Sequence, residues 1–239
     1  MKNPNELWVY LAASPLLWLC LTLFTWIAAN RLSTKLNRNP LANPVLVSIV
    51  VLALLLKTSS TNYSQFFSGA QFIHFLLGPA TVALAVPLYR QWENVKRLTP
   101  PVFVALIVGS ATAVVSVIAL GKAFDLQKEI LLSFLPKSAT AGVAMSISAS
   151  LGGNPSLTAV LVILTGIFGA ITVTPLMNLM GITNYAARGF AVGLASHGIG
   201  TARAYNVDST AGLFAGIAMS LNAIATTIIV PIVVRVGGF

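Results

Sequence analysis

The chain has 239 residues, of which 56% are hydrophobic and 8% are charged, whereas a soluble domain carries about 25% charged residues. This composition, with a mean hydropathy of +0.87, excludes a water-soluble fold and indicates a membrane protein that crosses the bilayer several times. The net charge of +9 is scattered and forms no basic stripe, which argues against nucleic-acid binding and favours a role in setting membrane topology.

The first half of the chain contains four apolar spans. The first is longer than the apolar core of a signal peptide, about 7–15 residues, so we predict a retained helix, with a cleaved signal as the alternative. Pro79 and Pro87 fall in the third span and predict a break there, because proline removes a backbone donor. The spans cover residues 7–28, 43–57, 66–89 and 101–121.

The second half alternates interrupted segments with plain apolar spans. Segments 130–153 and 184–208 are rich in small and polar residues, and each is followed by a plain span, 156–180 or 211–236. The sequence GGNP at 152–155 predicts a turn after the first segment. Paired interrupted helices at corresponding positions are typical of the binding site of a secondary transporter.

A weak tandem repeat relates the two parts of this half. Ser138 and Ser196 open the two polar motifs, and Pro175 and Pro231 close the two plain spans at a similar offset. The sequence therefore predicts two copies of one unit, each consisting of an interrupted segment and a plain helix.

Eight crossings fit these lengths and predict an all-α polytopic integral membrane protein with interrupted helices. Loops 29–42 and 90–100 share one face and hold most of the loop Lys and Arg, which makes that face cytoplasmic and places both termini outside. If segment 130–153 re-enters instead of spanning, the C-terminus lies inside. We divide the chain into an N-terminal transmembrane half, 1–122, and a C-terminal half, 123–239.

The acidic residues lie near segment ends, whereas several cationic or titratable residues fall at membrane depth. A charge at the bilayer centre costs at least ~2.5–3.5 kcal/mol, so it usually faces a cavity and has a partner. Since no acid lies in the middle of a span, we infer that the partner is an anionic substrate. The acids are Glu6, Glu93, Asp125, Glu129 and Asp208, and the residues at depth are Lys137, Arg188, His197 and Arg203.

Structural alternatives stand beside these functional interpretations. Arg188 and Arg203 can snorkel to the two interfaces that flank their segment. His197 is either a core histidine bonded to a backbone carbonyl, or a substrate ligand or proton carrier. We expect Asn222 to be an interhelical hydrogen-bonding residue and not a ligand.

The residues that catalysis or metal binding would need are scarce. The single cysteine, Cys20, excludes an internal disulfide, and one cysteine with two histidines makes a metal site unexpected. Ser196 and His197 are neighbours without an acid beside them, so a hydrolytic triad is not supported. The sequence predicts neither an enzyme nor a cofactor-dependent protein.

Four stretches of this chain resemble the LrgB/CidB membrane-protein family, and the resemblance covers nearly the whole chain. They are GPATVALAVPLYRQ at 78–91, LPKSAT at 135–140, GNPSLTAVLVILTGIFGA at 153–170 and AARGFAVGLASHGIGTARA at 186–204. Ala-Gly stands at 141–142, where we expect Thr-Pro in some relatives, so the first break here is expected to differ in shape.

The resemblance implies two kinds of function. The family is described as holin-like or antiholin-like, modulating murein hydrolases and autolysis in the bacterial cytoplasmic membrane. It is also similar to the plastid glycolate/glycerate translocator, some bacterial members are associated with pyruvate uptake, and members commonly pair with a small LrgA/CidA-like membrane protein. By analogy with secondary transporters that have paired broken helices, the site would be lined by Lys137, Ser138, Thr140, Ser196, His197, Thr201 and Arg203.

These observations together predict a secondary transporter of a small carboxylate, such as pyruvate or glycolate. Arg203 is expected to pair with the carboxylate while His197 and the hydroxyls orient the other oxygens, in a chain that also forms homo-oligomers. A holin-like regulator of cell-wall hydrolases is the runner-up, and a structural partner subunit without a site is the third possibility.

Overall fold

The computed structural model describes residues 14–39, 42–76 and 92–238, together with positions 79, 82, 83 and 89. Most of the described residues are helical, and no strand occurs among them. The start of the first predicted span, Glu6, and most of the proline-broken part of the third span lie outside the described residues. The chain divides into two compact units, Met1–Ala85 and Val86–Phe239, and the predicted boundary at 122 stays a prediction.

The first unit contains α1 (Pro15–Lys35), α2 (Pro44–Thr58) and α3 (Tyr63–Phe75). Helix α1 packs on both others, and its buried Trp18 meets Phe66 edge to face at 6.0 Å between ring centroids. The prediction of a loop at 29–42 is wrong for its first part. The helix continues to Lys35, and the backbone first adopts a positive φ beyond it, at Asn37 and Arg38.

The second unit contains seven helices among the described residues. Three long ones, α5 (Thr99–Ala123), α8 (Pro155–Leu179) and α10 (Ser209–Gly237), are apolar enough to cross a membrane, as is α1 in the first unit. The all-α polytopic fold with interrupted helices is therefore confirmed. The seven are α4 (Trp92–Arg97), α5 (Thr99–Ala123), α6 (Lys128–Phe134), α7 (Ala141–Leu151), α8 (Pro155–Leu179), α9 (Tyr185–Val207) and α10 (Ser209–Gly237).

Residues 128–151 form a helical hairpin, which we call hairpin I. Helix α6 ends at Phe134, just before Pro136, and α7 begins only at Ala141, so the predicted interruption is confirmed. In a straight helix, 21 residues would separate positions 133 and 154 by ~32 Å. Instead the Oγ of Ser133 accepts from the N–H of Asn154 at 2.8 Å, so the chain has turned back and α7 is followed by a turn beside the end of α6.

Residues 185–207 form hairpin II, in which two helical arms are joined by a sharp break. Ser196 and His197 alone leave helical geometry, with φ/ψ of −130°/16° and 42°/−134°. Before this tip, Gly189 and Gly193 lie against the backbone of Ala211 and Ala215, in parallel order. After the tip the order reverses: residue 201 lies near 219 and residue 205 near 212, so the second arm runs back along α10.

The two hairpins enter the second unit from opposite ends. The Arg97 end holds residues 97–98, 183–186 and 210, which line one surface cleft. The Asp125 end holds the loop 124–127, the turn at 152–154 and the last turns of α10, joined by the buried cluster that includes Leu131, Leu132 and Val234. Hairpin I enters from the Asp125 end and hairpin II from the Arg97 end.

Each hairpin is followed by one long helix, and the two long helices run in opposite directions. This is an inverted repeat of hairpin plus helix, and its two copies correspond to the two units of the weak tandem repeat in the sequence. Pro175 and Pro231, predicted to close the plain spans, lie inside α8 and α10 at a separation of 56 residues (231 minus 175). Both interrupted segments turn back within the unit, and the count of eight crossings stays a prediction.

Candidate functional site

The tips of the two hairpins meet at one side chain, Asn222, near the middle of α10. Its Nδ2 donates to the carbonyl of Ser138 on hairpin I and to the carbonyl of Leu194 on hairpin II, both at 3.1 Å. In a continuous helix the Leu194 carbonyl would accept from residue 198, but the break at the tip frees it. The predicted interhelical hydrogen-bonding role of Asn222 is confirmed, and it joins both predicted motifs.

The hydrogen-bonding partners fix the orientation of the Asn222 amide. Backbone carbonyls can only accept, so the NH2 group must face them. The other side of the amide, Oδ1, accepts from Ser110 Oγ of α5 at 2.8 Å, and Thr226 Oγ1 lies 3.4 Å away. Asn222 is fully buried, and burying such an amide is tolerated when its donors and acceptor are satisfied.

The tip of hairpin II packs directly on α8. His197 Nε2 lies 2.8 Å from the carbonyl oxygen of Val162, and since a carbonyl only accepts, this nitrogen carries the hydrogen. A Cβ at Gly166 would lie 2.7 Å from His197 Cε1, and one at Gly169 would overlap Ser196 Oγ. The two glycines, whose spacing alone predicts close helix packing, thus make room for this tip.

The backbone of His197 is strained. Its φ of 42° lies in the left-handed region, which residues other than glycine adopt rarely and at a cost of order 1–3 kcal/mol. Two hydrogen bonds hold the residue there: the ring bonds Val162, and its own carbonyl accepts from Thr201 Oγ1 at 2.8 Å. Such outliers cluster at ligand sites and switch regions.

Hairpin I brings a cation and hydroxyls to its tip. Ser138 is buried, and Lys137 and Thr140 beside it are half-buried. Among the described carboxylates, none pairs with Lys137. Within the described residues Thr140 makes no side-chain cap bond to α7, so the N–H groups of the first turn of α7 lie uncapped at this tip, with the positive end of the helix dipole.

Arg203 lies away from the tips. It follows His197 by six residues, ~9 Å along the second arm of hairpin II, and it is buried. It lines a small cavity of about 30 Å³ together with Arg188 and Tyr185. Arg188 donates to the carbonyl of Ile182 and to Asn178 Oδ1, both near the Arg97 end.

The structure thus brings together six of the seven predicted site residues at or next to the two tips. Ala139 and Ala144 of hairpin I pack on Val162, whose carbonyl binds His197 of hairpin II. The exception is Arg203. The six are Lys137, Ser138, Thr140, Ser196, His197 and Thr201.

A buried hydroxyl cluster that sequence reasoning missed anchors hairpin I to α8. Thr158 Oγ1 lies within hydrogen-bonding distance of the Ser133 carbonyl, 3.1 Å, and of Ser148 Oγ, 2.8 Å. All three side chains are fully buried. The three residues are far apart in the sequence and no motif links them, so only the return of the chain brings them together.

A family model and curated relatives match this chain over most of its length. A model of the LrgB-like family matches residues 22–236. The Holin-like protein CidB of Staphylococcus epidermidis is 31% identical over 218 residues, which cover 91% of this chain and 95% of that protein. The uncharacterized protein YxaC of Bacillus subtilis is 35% identical over 195 residues, 82% and 85% of the two chains. No solved structure matches the chain.

Proposed function

The chain belongs to the LrgB family, and on this premise we propose that it is a secondary transporter of small carboxylate anions. The observation that carries the proposal is the meeting of two hairpins, which enter from opposite ends, at the middle of α10. In transporters with inverted repeats, substrate sites lie where discontinuous helices meet near the midplane. A binding site there can open to either end by movement of one hairpin.

The charge at the tips favours an anion. Lys137 supplies a cation without a described carboxylate partner, and the uncapped first turn of α7 supplies backbone N–H groups. Ser138 and Thr140 supply hydroxyls from hairpin I, and Ser196 supplies one from hairpin II. These groups suit a molecule with one carboxylate and one further oxygen, such as pyruvate, glycolate or lactate.

The roles assigned to His197 and Arg203 differ from each other. His197 orients the tip of hairpin II (tip II) through the bond from its Nε2 to the Val162 carbonyl. The other ring nitrogen, Nδ1, is then free to accept a hydrogen bond from a hydroxyl of the substrate. Arg203, on the second arm of hairpin II away from the tip, attracts the anion toward the tips through its charge. With this placement Lys137, and not Arg203, is the first cation that the carboxylate meets at the tips.

A regulatory function is the second candidate, because the Staphylococcus relatives carry the name holin-like protein. A holin-like protein would form homo-oligomers and permeabilise the membrane, or control the hydrolases that digest the cell wall. A small LrgA/CidA-like membrane protein is the partner proposed under either function, and the bacterial cytoplasmic membrane is the proposed location. The two tips argue for transport, since a membrane-disrupting oligomer does not require an enclosed polar site.

The experiment compares uptake with leakage in proteoliposomes. Uptake of labelled pyruvate, glycolate and lactate is measured with and without an LrgA/CidA-like partner, alongside release of a trapped dye larger than these substrates. Transport predicts saturable uptake that unlabelled carboxylates inhibit, with the dye retained. Release of the dye together with unsaturable entry of all solutes would support the holin-like candidate and reject transport.

A further inference from the structure

We propose that Asn222 is a positioning residue of the transport cycle, which holds each hairpin tip through one N–H of its amide. The inference rests on the proposed function, because it concerns how the hairpins move during transport. A primary amide has two N–H groups, and here the two nearest backbone acceptors belong to different hairpins, at 3.1 Å each. A hydroxyl, with a single donor, could not hold both.

This arrangement lets one hairpin leave while the other stays. Movement of hairpin I breaks the bond to the Ser138 carbonyl, and the second N–H keeps its bond to Leu194. Movement of hairpin II does the reverse. Asn222 therefore stabilises a closed arrangement that lies between two open ones, and each opening breaks one of its two bonds to backbone carbonyls.

The amide keeps its orientation when one tip departs. Ser110 Oγ on α5 donates to Oδ1 at 2.8 Å, and Thr226 Oγ1, one turn after Asn222 on α10, lies 3.4 Å from the same oxygen. Neither residue belongs to a hairpin. The released N–H therefore continues to face the position of the departed tip, where it can donate to a carboxylate oxygen of the substrate.

The inverted repeat allows the two long helices to be compared position by position. Pro175 and Pro231 are 56 residues apart, and the Ser138 and Leu194 carbonyls that Asn222 binds are separated by the same number of residues (194 minus 138). At this offset Gly166, which makes room for the His197 ring, is the equivalent of Asn222 (222 minus 166). Equivalent positions of the two long helices thus supply an amide in one case and a space in the other.

The experiment measures how often each tip opens. In a Cys20→Ser background, Ser138→Cys reports on the tip of hairpin I (tip I) and Ser196→Cys on tip II. Both side chains are buried in the closed arrangement, so a thiol at either position reacts only when its tip opens. Ser148→Cys, buried at the Thr158 cluster and not bonded to Asn222, reports on general loosening. The rate of thiol modification is measured without substrate for each reporter, with Asn222 and with Asn222→Ala or Asn222→Asp.

The proposal predicts that both substitutions raise the modification rate at both tips by about 2- to 10-fold, and leave the rate at Ser148→Cys unchanged. Asn154→Asp, the same chemical change at the N-cap of α8 where an aspartate also caps, should leave all three rates unchanged. An unchanged rate at either tip, or an equal rise at Ser148→Cys, overturns the proposal. These rates do not depend on substrate, so a failure of carboxylate uptake would reject the proposed function without altering this result.

Discussion

Two glycines of α8 decide how closely the tip of hairpin II can approach that helix. Gly166 faces the His197 ring and Gly169 faces Ser196 Oγ. The sequence predicts close packing from their spacing, but it does not say that the packing partner is the polar tip. The reason is physical: helix periodicity identifies a face, whereas the identity of the partner depends on the return of a hairpin 30 residues later.

We expect Gly166→Ala and Gly169→Ala to destabilise the protein by about 1–3 kcal/mol each, because the added methyl group overpacks the tip. Gly198→Ala and Gly142→Ala are matched controls: the first would meet only Met219 Sδ, at 3.8 Å, and the second has nothing within 4 Å. Thermal unfolding in detergent measures the difference, at roughly 2–4 °C for each kcal/mol. Equal melting temperatures for all four variants would contradict the described packing.

One of the two interpretations of His197 is a core histidine bonded to a backbone carbonyl, and its ring does bind the Val162 carbonyl. The strained backbone indicates that the position is constrained beyond this bond. We expect His197→Ala to lower carboxylate uptake at least tenfold, because both the ring anchor and the ligand nitrogen are lost. Thr172→Ala, which removes a hydroxyl bonded within its own helix, is the control in the same uptake assay and should be neutral.

At the scale of elements, the breaks in both interrupted segments are predictable and their directions are not. Pro136 predicts the end of α6, and the small and polar residues around Ser196 predict the second break. Whether the chain continues or returns depends on the backbone angles of two or three residues at each tip, which composition does not encode. The close contacts that hold each return, such as Gly193 on Ala215, join positions that no local pattern relates.

Hairpin I depends on the buried hydroxyl of Thr158. We expect Thr158→Val to destabilise the protein by about 1–3 kcal/mol, because the carbonyl of Ser133 and the hydroxyl of Ser148 lose a buried partner. Thr172→Val, on the same helix, loses only the bond to the Phe168 carbonyl and is the matched control. A smaller loss of thermal stability at 158 than at 172 would refute the anchoring role of the cluster.

At the scale of the molecule, the inverted repeat gives each end of the second unit its own hairpin. The positive-inside rule predicts that segment 90–100, which the sequence predicts as a loop and which contains α4, is cytoplasmic, so the Arg97 end and hairpin II should face the cytoplasm. Hairpin I should then face the outside. The sequence predicts this orientation from the loop charges alone, whereas the opposite entry of the two hairpins comes only from the contacts.

Orientation is tested with two exposed positions in the Cys20→Ser background, Thr183→Cys at the Arg97 end and Gln127→Cys at the Asp125 end. We expect a membrane-impermeant thiol reagent to label Gln127→Cys in intact cells, and Thr183→Cys only after permeabilisation. The reverse pattern would show that the charge rule assigns the wrong face. Labelling of both from one side would contradict the crossing of α8.

The most direct test of the account is saturable carboxylate uptake by proteoliposomes that contain Lys137→Gln. This change removes the cation at tip I while keeping a side chain of similar length, and Arg235→Gln in the last turn of α10 removes an equal charge far from the tips. We predict that Lys137→Gln abolishes saturable pyruvate uptake, or raises the concentration for half-maximal uptake more than tenfold, whereas Arg235→Gln transports normally. Identical uptake curves for the two variants would contradict an anion site between the hairpin tips.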